Sequence, residues 1–113
     1  MSGRRSDLGE EIAATIRGRG QHAIFVRCDV SVDVEMDRLI VRSVEEFGGL
    51  DVLVSNAGSA WQGRIGEVSD NTLRDSFELN FFSHQSVAQN AVRVMMAQGM
   101  GGALLFNASK QAV

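Results

Sequence analysis

The chain has 113 residues, of which 44% are hydrophobic and 22% charged, with a net charge of −3. These values fit one globular domain rather than a disordered segment, and the acidic balance leaves no basic footprint for nucleic acid. No stretch reaches the roughly 18 apolar residues of a bilayer-spanning helix, and no signal-peptide pattern opens the chain, so no membrane partner is expected. The single cysteine, Cys28, cannot form an internal disulfide. It points to the cytoplasm and reads as a buried, inert thiol.

In chain order, residues 2–5 (SGRR) are too short to form an element by themselves. Ser6 or Asp7 offers an N-cap to a helix over 8–18. Leu8, Ile12 and Ile16 fall on one face of it, and Gly18 and Gly20 end it. Residues 23–28 (AIFVRC) are β-branched and aromatic enough for a strand that ends at Asp29. Ser31 then caps a second helix, with Asp33 and Glu35 near its positive end. Met36, Ile40, Val44 and Phe47 form its apolar stripe, and Gly48 and Gly49 close it.

The stretch that organises the chain is 50–58, LDVLVSNAG. Its apolar run between glycines reads as a strand buried on both faces, as in a parallel sheet. A small-residue turn at the carboxyl end of such a strand is where α/β proteins bind ligands. Strand, helix and strand in this order form a βαβ unit with a right-handed crossover. A loop over 59–68 carries the only tryptophan, Trp61, which lines a pocket or packs on a sheet edge. A long helix over 70–98 follows, then glycines at 99, 101 and 102, and a second buried strand over 103–107 (ALLFN). Asn80 stands in mid-helix, where asparagine is a poor former, among the apolar Leu79, Phe81 and Phe82. His22 and His84 have no metal-ligand spacing and read as surface or capping residues, so no metal is expected.

Four landmarks stand in order: CDV at 28–30, GGLDVLVSNAG at 48–58, SFELN at 76–80 and FNASK at 106–110. Together they resemble the short-chain dehydrogenase/reductase superfamily. The segment 58–113, with NFFSHQ and SKQAV, further resembles the dehydrogenase half of bifunctional aldolase/short-chain dehydrogenase proteins. The resemblance implies an α/β fold: a partial Rossmann-type domain over 1–113, a doubly wound parallel sheet lacking its first strands and its C-terminal part. It also implies NADP or NAD as cofactor and a small-molecule alcohol or carbonyl substrate, possibly sugar-derived in the parent protein.

The resemblance assigns roles residue by residue. Asp29 hydrogen-bonds the adenine amino group and the backbone of Val30 addresses the same ring edge. The alternative for Asp29 is support of the helix entry through Ser31. Asn56, Ala57 and Gly58 form the turn against which the adenosine packs, with Asn56 tying neighbouring strands together. Asn80 kinks its helix and holds a water in the proton relay, and Ser109 orients the substrate oxygen. The family commonly has two adjacent serines there, so Lys110 competes with Ser109 for the catalytic position. Arg4, beside Arg5, meets a 2′-phosphate, which leans the choice towards NADP; a solvated arginine pair is the alternative.

The same resemblance places a glycine-rich phosphate loop ahead of Gly3 and a tyrosine–lysine acid/base pair beyond Val113, and the 113 residues contain no tyrosine. The expected function is therefore that of an internal fragment of an NAD(P)-dependent oxidoreductase, inactive alone. Two alternatives stand beside it. One is a non-catalytic remnant that dimerises or binds a partner through the 70–98 helix, and the other is an adenine-nucleotide-binding module. The exposed sheet edges of such a fragment either pair directly or seek another chain.

Overall fold

The structure, a computed structural model, describes residues 1–108. The chain divides into two compact units, Met1–Gly48 and Gly49–Val113. The first contains β1 (Ser2–Gly3), α1 (Ser6–Gly18), β2 (Val26–Arg27) and α2 (Asp33–Phe47). β1 and β2 pair in parallel, Ser2 opposite Val26 and Gly3 opposite Arg27. The ladder is continued by Val26 N–H to Met1 O (3.1 Å) and Cys28 N–H to Gly3 O (2.9 Å). Residues 2–3, too short in sequence to be an element alone, therefore do form a strand, because β2 supplies the partner.

The core of this unit is Ala13, Ala23, Cys28, Met36 and Ile40. The α1 face differs from expectation. Gly9 and Ala13 are buried, whereas Leu8 and Ile12 are 46% and 52% exposed. The cause is the close approach of α1 to Phe25: a Cβ on Gly9 would overlap the Phe25 ring, so the contact face carries small residues. The expected caps also shift. Ser6 and Asp7 lie inside the first turn, with Arg5 at the cap and no side-chain cap bond. At α2, Val32 stands at the cap, again without a side-chain bond, because the Ser31 hydroxyl is turned to Asp29 instead. Along α2, Met36 and Ile40 are buried, but Phe47 is half exposed. Gly48 ends α2 at φ 82°, its N–H bonded to Val44 O, the left-handed stop that glycine adopts without strain.

The second unit contains β3 (Val52–Ser55), α3 (Asp70–Phe77), a π-helical turn (Glu78–Phe82), α4 (Ser83–Gln98) and β4 (Ala103–Phe106). β3 and β4 pair in parallel over their whole length, from Val52 opposite Ala103 to Ser55 opposite Phe106. α4 lies against β3 and buries Ser83, Val87, Ala91 and Met95, a row at spacings of four. The long helix expected over 70–98 is thus present, interrupted by the π-turn. Ser69 caps α3 by accepting the Thr72 N–H at 3.1 Å.

Burial corrects the reading of both strands. Val52 and Val54 are 54% and 64% exposed, and all of β4 is exposed. Within this unit a helix covers the face of Leu53 and Ser55, whereas among the described residues Val52 and Val54 on the other face stay exposed. β2 and β3 belong to separate two-stranded ladders, one in each unit. Among the described residues, no helix is long and apolar enough to cross a membrane.

Gly102 joins α4 to β4 at a tight point. A Cβ there would stand 2.9 Å from Asp51 O, the carbonyl that accepts the Ala103 N–H, and would also overlap the Met95 thioether. Gly102→Ala is expected to destabilise the chain by about 1–3 kcal/mol, the usual range for overpacking. Gly66→Ala, at a glycine with open space around it, should be near neutral. Urea unfolding of the two variants tests the contrast.

Candidate functional site

Of the residues singled out in sequence, Arg4, Asp29, Val30 and Asn56 to Gly58 follow the carboxyl ends of parallel strands, in two places. In the first unit, Asp29 follows β2. Its Oδ1 accepts the Ser31 N–H (3.0 Å) and the Ser31 hydroxyl (2.6 Å), and its own N–H donates to Glu35 Oε2 (2.6 Å). The carboxyl is held below the usual carboxylate range, first by the Ser31 hydroxyl, then by the Ser31 amide, with the charges of Arg4 and Arg27 in support. Arg4 follows β1, so its charge acts on Asp29 from the neighbouring strand. Val30 lies in the turn closed by Val32 N–H to Asp29 O (3.0 Å). Burial pushes the Cys28 thiol up, and Glu35 and Asp29 add to the shift, which keeps it protonated and unreactive.

In the second unit, Asn56, Ala57, Gly58 and Asn80 line one groove of about 990 Å³, together with Trp61 and Phe106. Asn80 sits at the centre of the π-turn. Its side-chain amide makes two bonds to one residue of the loop: Nδ2 donates to Ser59 O (2.8 Å), and Oδ1 accepts the Ser59 N–H (3.1 Å). Ser76 Oγ also lies within reach of Nδ2 at 3.3 Å. Gly58 permits the approach, since a Cβ there would sit 3.1 Å from Asn80 Oδ1. In the π-turn, Ser83 gives its N–H to Glu78 O, five residues back, and its hydroxyl to Leu79 O, four back. Single π-turns inside helices are rare and recur at functional sites.

Two further contacts fix the strand ends. Asn107 Nδ2 donates to Asn56 Oδ1 at 2.6 Å, and Asn107 N–H donates to Ser55 O at 3.0 Å, so Asn56 ties β3 to the end of β4. At the opposite end, Gln98 Nε2 donates to Leu50 O (2.8 Å) and Gln98 Oε1 accepts the Leu50 N–H (2.7 Å). Gly49 makes room for that amide.

His84 is placed differently from its expectation as a surface or capping residue. Its Nδ1 lies 2.5 Å from the Oγ of Ser55, a buried residue, and its ring meets Phe106 edge-on. The available signal was its place four residues after Asn80, which sets both on one helix face. Gln98 carries no such signal, because its partner is backbone. His22 is an exposed partner of Glu46 at 3.0 Å, and Trp61 lines the groove. Ser109 and Lys110 lie outside the described residues. Among the described residues, no cluster of histidine, cysteine or acidic side chains could hold a metal ion.

A family model for short chain dehydrogenases matches residues 1–113. The chain belongs to this family. It is 31% identical over 99 residues to an uncharacterized NAD-dependent oxidoreductase of Mycobacterium tuberculosis, covering 88% of this chain and 36% of that protein. Among solved structures it is similar to a short-chain type dehydrogenase/reductase from Mycobacterium marinum: 30% identity, TM-score 0.90, covering 96% of this chain and 44% of the other. A 7α-hydroxysteroid dehydrogenase complexed with NADH and 7-oxo glycochenodeoxycholic acid superposes equally well, with TM-score 0.90 and 28% identity, covering 96% of this chain and 42% of the other. The chain thus spans less than half the length of these relatives. The structural likeness makes the fold a partial Rossmann-type α/β fold with parallel strands.

The Asp29–Ser31 contact has a pH signature. A carboxyl whose folded pKa is depressed contributes stability above its unfolded value, about 3.9, and loses it as pH falls through the folded value. Ser31→Ala should move the Asp29 titration upward, towards the ordinary value. It should also lower stability above about pH 4, a gap that closes on acidification. Carboxyl carbon NMR shifts of Asp29 in both proteins check this.

Proposed function

We propose that these 113 residues are part of an NAD(P)-dependent short-chain oxidoreductase that transfers hydride between the nicotinamide and an alcohol or carbonyl carbon. The observation that carries the reading is Asn80, in a π-turn, clamping the loop that leaves the Asn56–Gly58 turn. Family membership and relatives described as NAD-dependent or complexed with NADH support it.

In this reading each residue acts through its own atoms. Asp29 keeps Oδ2 for the adenine amino group while Oδ1 holds Ser31, and its low pKa keeps it an acceptor at neutral pH. The Val30 backbone addresses the same ring edge. Asn56, Ala57 and Gly58 offer a low wall for the adenosine, with Gly58 bare of side chain. The Glu78–Phe82 π-turn sets Asn80 to hold a water, and Ser109 orients the substrate oxygen. The nicotinamide group itself supplies the hydride chemistry. Arg4 leans the choice towards NADP, since a guanidinium pairs with a 2′-phosphate. A cytoplasmic setting follows from the single, unbridged Cys28. Self-association through 70–98 belongs to the same proposal, supported by the exposure of Leu73, Phe77, Phe81 and Phe82 along that helix.

The 113 residues contain no tyrosine to serve as the family's acid/base group, so the proposal assigns turnover to a longer protein. The protein purified from its own cells should oxidise an alcohol with NAD or NADP, whereas the isolated 113-residue chain should show no turnover and weak or no binding of NADH or NADPH by calorimetry. Absence of hydride transfer in the natural protein contradicts the oxidoreductase reading. Tight, saturable binding to the isolated chain would favour the nucleotide-binding module instead.

A further inference from the structure

Three methionines stand together at the end of α4, in opposite environments. Met95 is 6% exposed and completes the row of Ser83, Val87 and Ala91 that α4 buries. Met96 and Met100 are 76% and 85% exposed. Helix geometry separates the first two: successive residues lie about 100° apart around the axis, so the residue after an inward one faces out. Gly99 then ends α4 at φ 69°, its N–H shared between Met95 O (3.1 Å) and Met96 O (3.2 Å), and Met100 emerges beyond the stop.

Met95 has a defined seat. Its thioether lies against Gly102, where a Cβ would overlap Sδ, on the side of that glycine that also meets Asp51 O. This carbonyl accepts the Ala103 N–H at 2.9 Å, at the start of the β3–β4 ladder. A thioether suits the place because it is polarizable and only a weak acceptor. A sulfoxide does not suit it. Its oxygen is polar and seeks a donor, and the Asp51 carbonyl beside it has no proton to give.

We propose that the end of α4 is a two-step modification site for hydrogen peroxide: Met96 and Met100 are oxidised first with the β3–β4 pairing intact, and Met95 last, which opens the corner where β4 begins. In each step a sulfur lone pair attacks one peroxide oxygen, and the S–O bond forms as the O–O bond breaks and hydroxide leaves. The proton on the attacked oxygen passes to that hydroxide. The thioether is thus oxidised by two electrons to the sulfoxide, and the peroxide is reduced to water. Sulfoxides at Met96 and Met100 are hydrated where they stand and disturb no packing. At Met95 the new oxygen is drawn to water, which takes the side chain off Gly102 and lets solvent reach the Asp51–Ala103 bond. Cys28 does not compete for the first peroxide, since it is buried and its thiol stays protonated. The site uses neither nucleotide nor substrate, so it stands apart from the oxidoreductase reading.

The test is graded oxidation of the natural protein with hydrogen peroxide, followed by fragment-ion mass spectrometry of the tryptic peptide 94–110. Arg93 and Lys110 bound that peptide, so Met95, Met96 and Met100 are compared within one molecule. Met96 and Met100 should become sulfoxides about tenfold faster than Met95, because a buried thioether reacts only when its surroundings open. Amide exchange at Ala103 is read on the same samples. It should stay unchanged while only Met96 and Met100 are oxidised, then rise about fivefold, the value of one ordinary hydrogen bond, once Met95 is. The double variant M96L/M100L changes exposed positions only, and under excess peroxide it should show the same rise at Ala103. Equal oxidation rates at Met95 and Met96 would overturn the proposed order. Raised exchange at Ala103 ahead of Met95 oxidation, or unchanged exchange in M96L/M100L with Met95 oxidised, would overturn the second step. None of these readouts depends on hydride transfer.

Discussion

A bidentate bond between one side-chain amide and one backbone residue holds the loop that follows the Asn56–Gly58 turn of this chain. Asn80 satisfies both the N–H and the C=O of Ser59, three residues beyond Asn56. At the other end of β3, Gln98 does the same for Leu50. The helical stretch that begins at Asp70 and ends at Gln98 therefore grips the segment from Leu50 to Ser59 at two points. Val87, Ala91 and Met95 supply the apolar contact between them. Directional bonds at the ends and non-directional burial in the middle fix the register as well as the distance.

That arrangement explains why glycines and small residues cluster around β3. Gly49, Gly58 and Gly102 each stand where a Cβ would meet an amide, a carbonyl or the Met95 sulfur. The π-turn belongs to the same logic. It carries Asn80 where the loop passes, and Ser83 engages two successive carbonyls of the widened turn. At the carboxyl end of β3, the Asn56–Asn107 bond joins the two strand ends, so this side of the groove rests on paired backbone.

Much of this was legible in the sequence. LDVLVSNAG placed β3 and the Asn56–Gly58 turn that follows it, and the alternation of strands and helices placed the helices. Asn80 drew notice because asparagine is out of place in a helix among apolar neighbours. What escaped had physical reasons. The Leu8–Ile12–Ile16 periodicity named the wrong face of α1 because a close helix–strand contact selects small residues, and Gly9 and Ala13 carry no hydrophobic signal. The strands read as buried on both faces because apolar runs report what a complete sheet would cover, whereas each ladder here has two strands. Ser31 looked like a cap, but its hydroxyl found a carboxylate two residues away. Gln98 and the Ser55–His84 pair join residues 48 and 29 positions apart, which no local pattern encodes.

The claim that Asn80 holds the turn is tested most directly by residue-resolved amide hydrogen exchange in Asn80→Ala beside the parent chain. Removing a hydrogen bond of ordinary strength should raise exchange at Ser59 by about tenfold, while the buried amides of Val87 and Ala91 in α4 keep their protection. Unchanged exchange at Ser59 would contradict the account, showing that the loop is held by something other than this amide. Loss of protection throughout α4 would contradict it too, since Asn80 would then be supporting the helix rather than the turn.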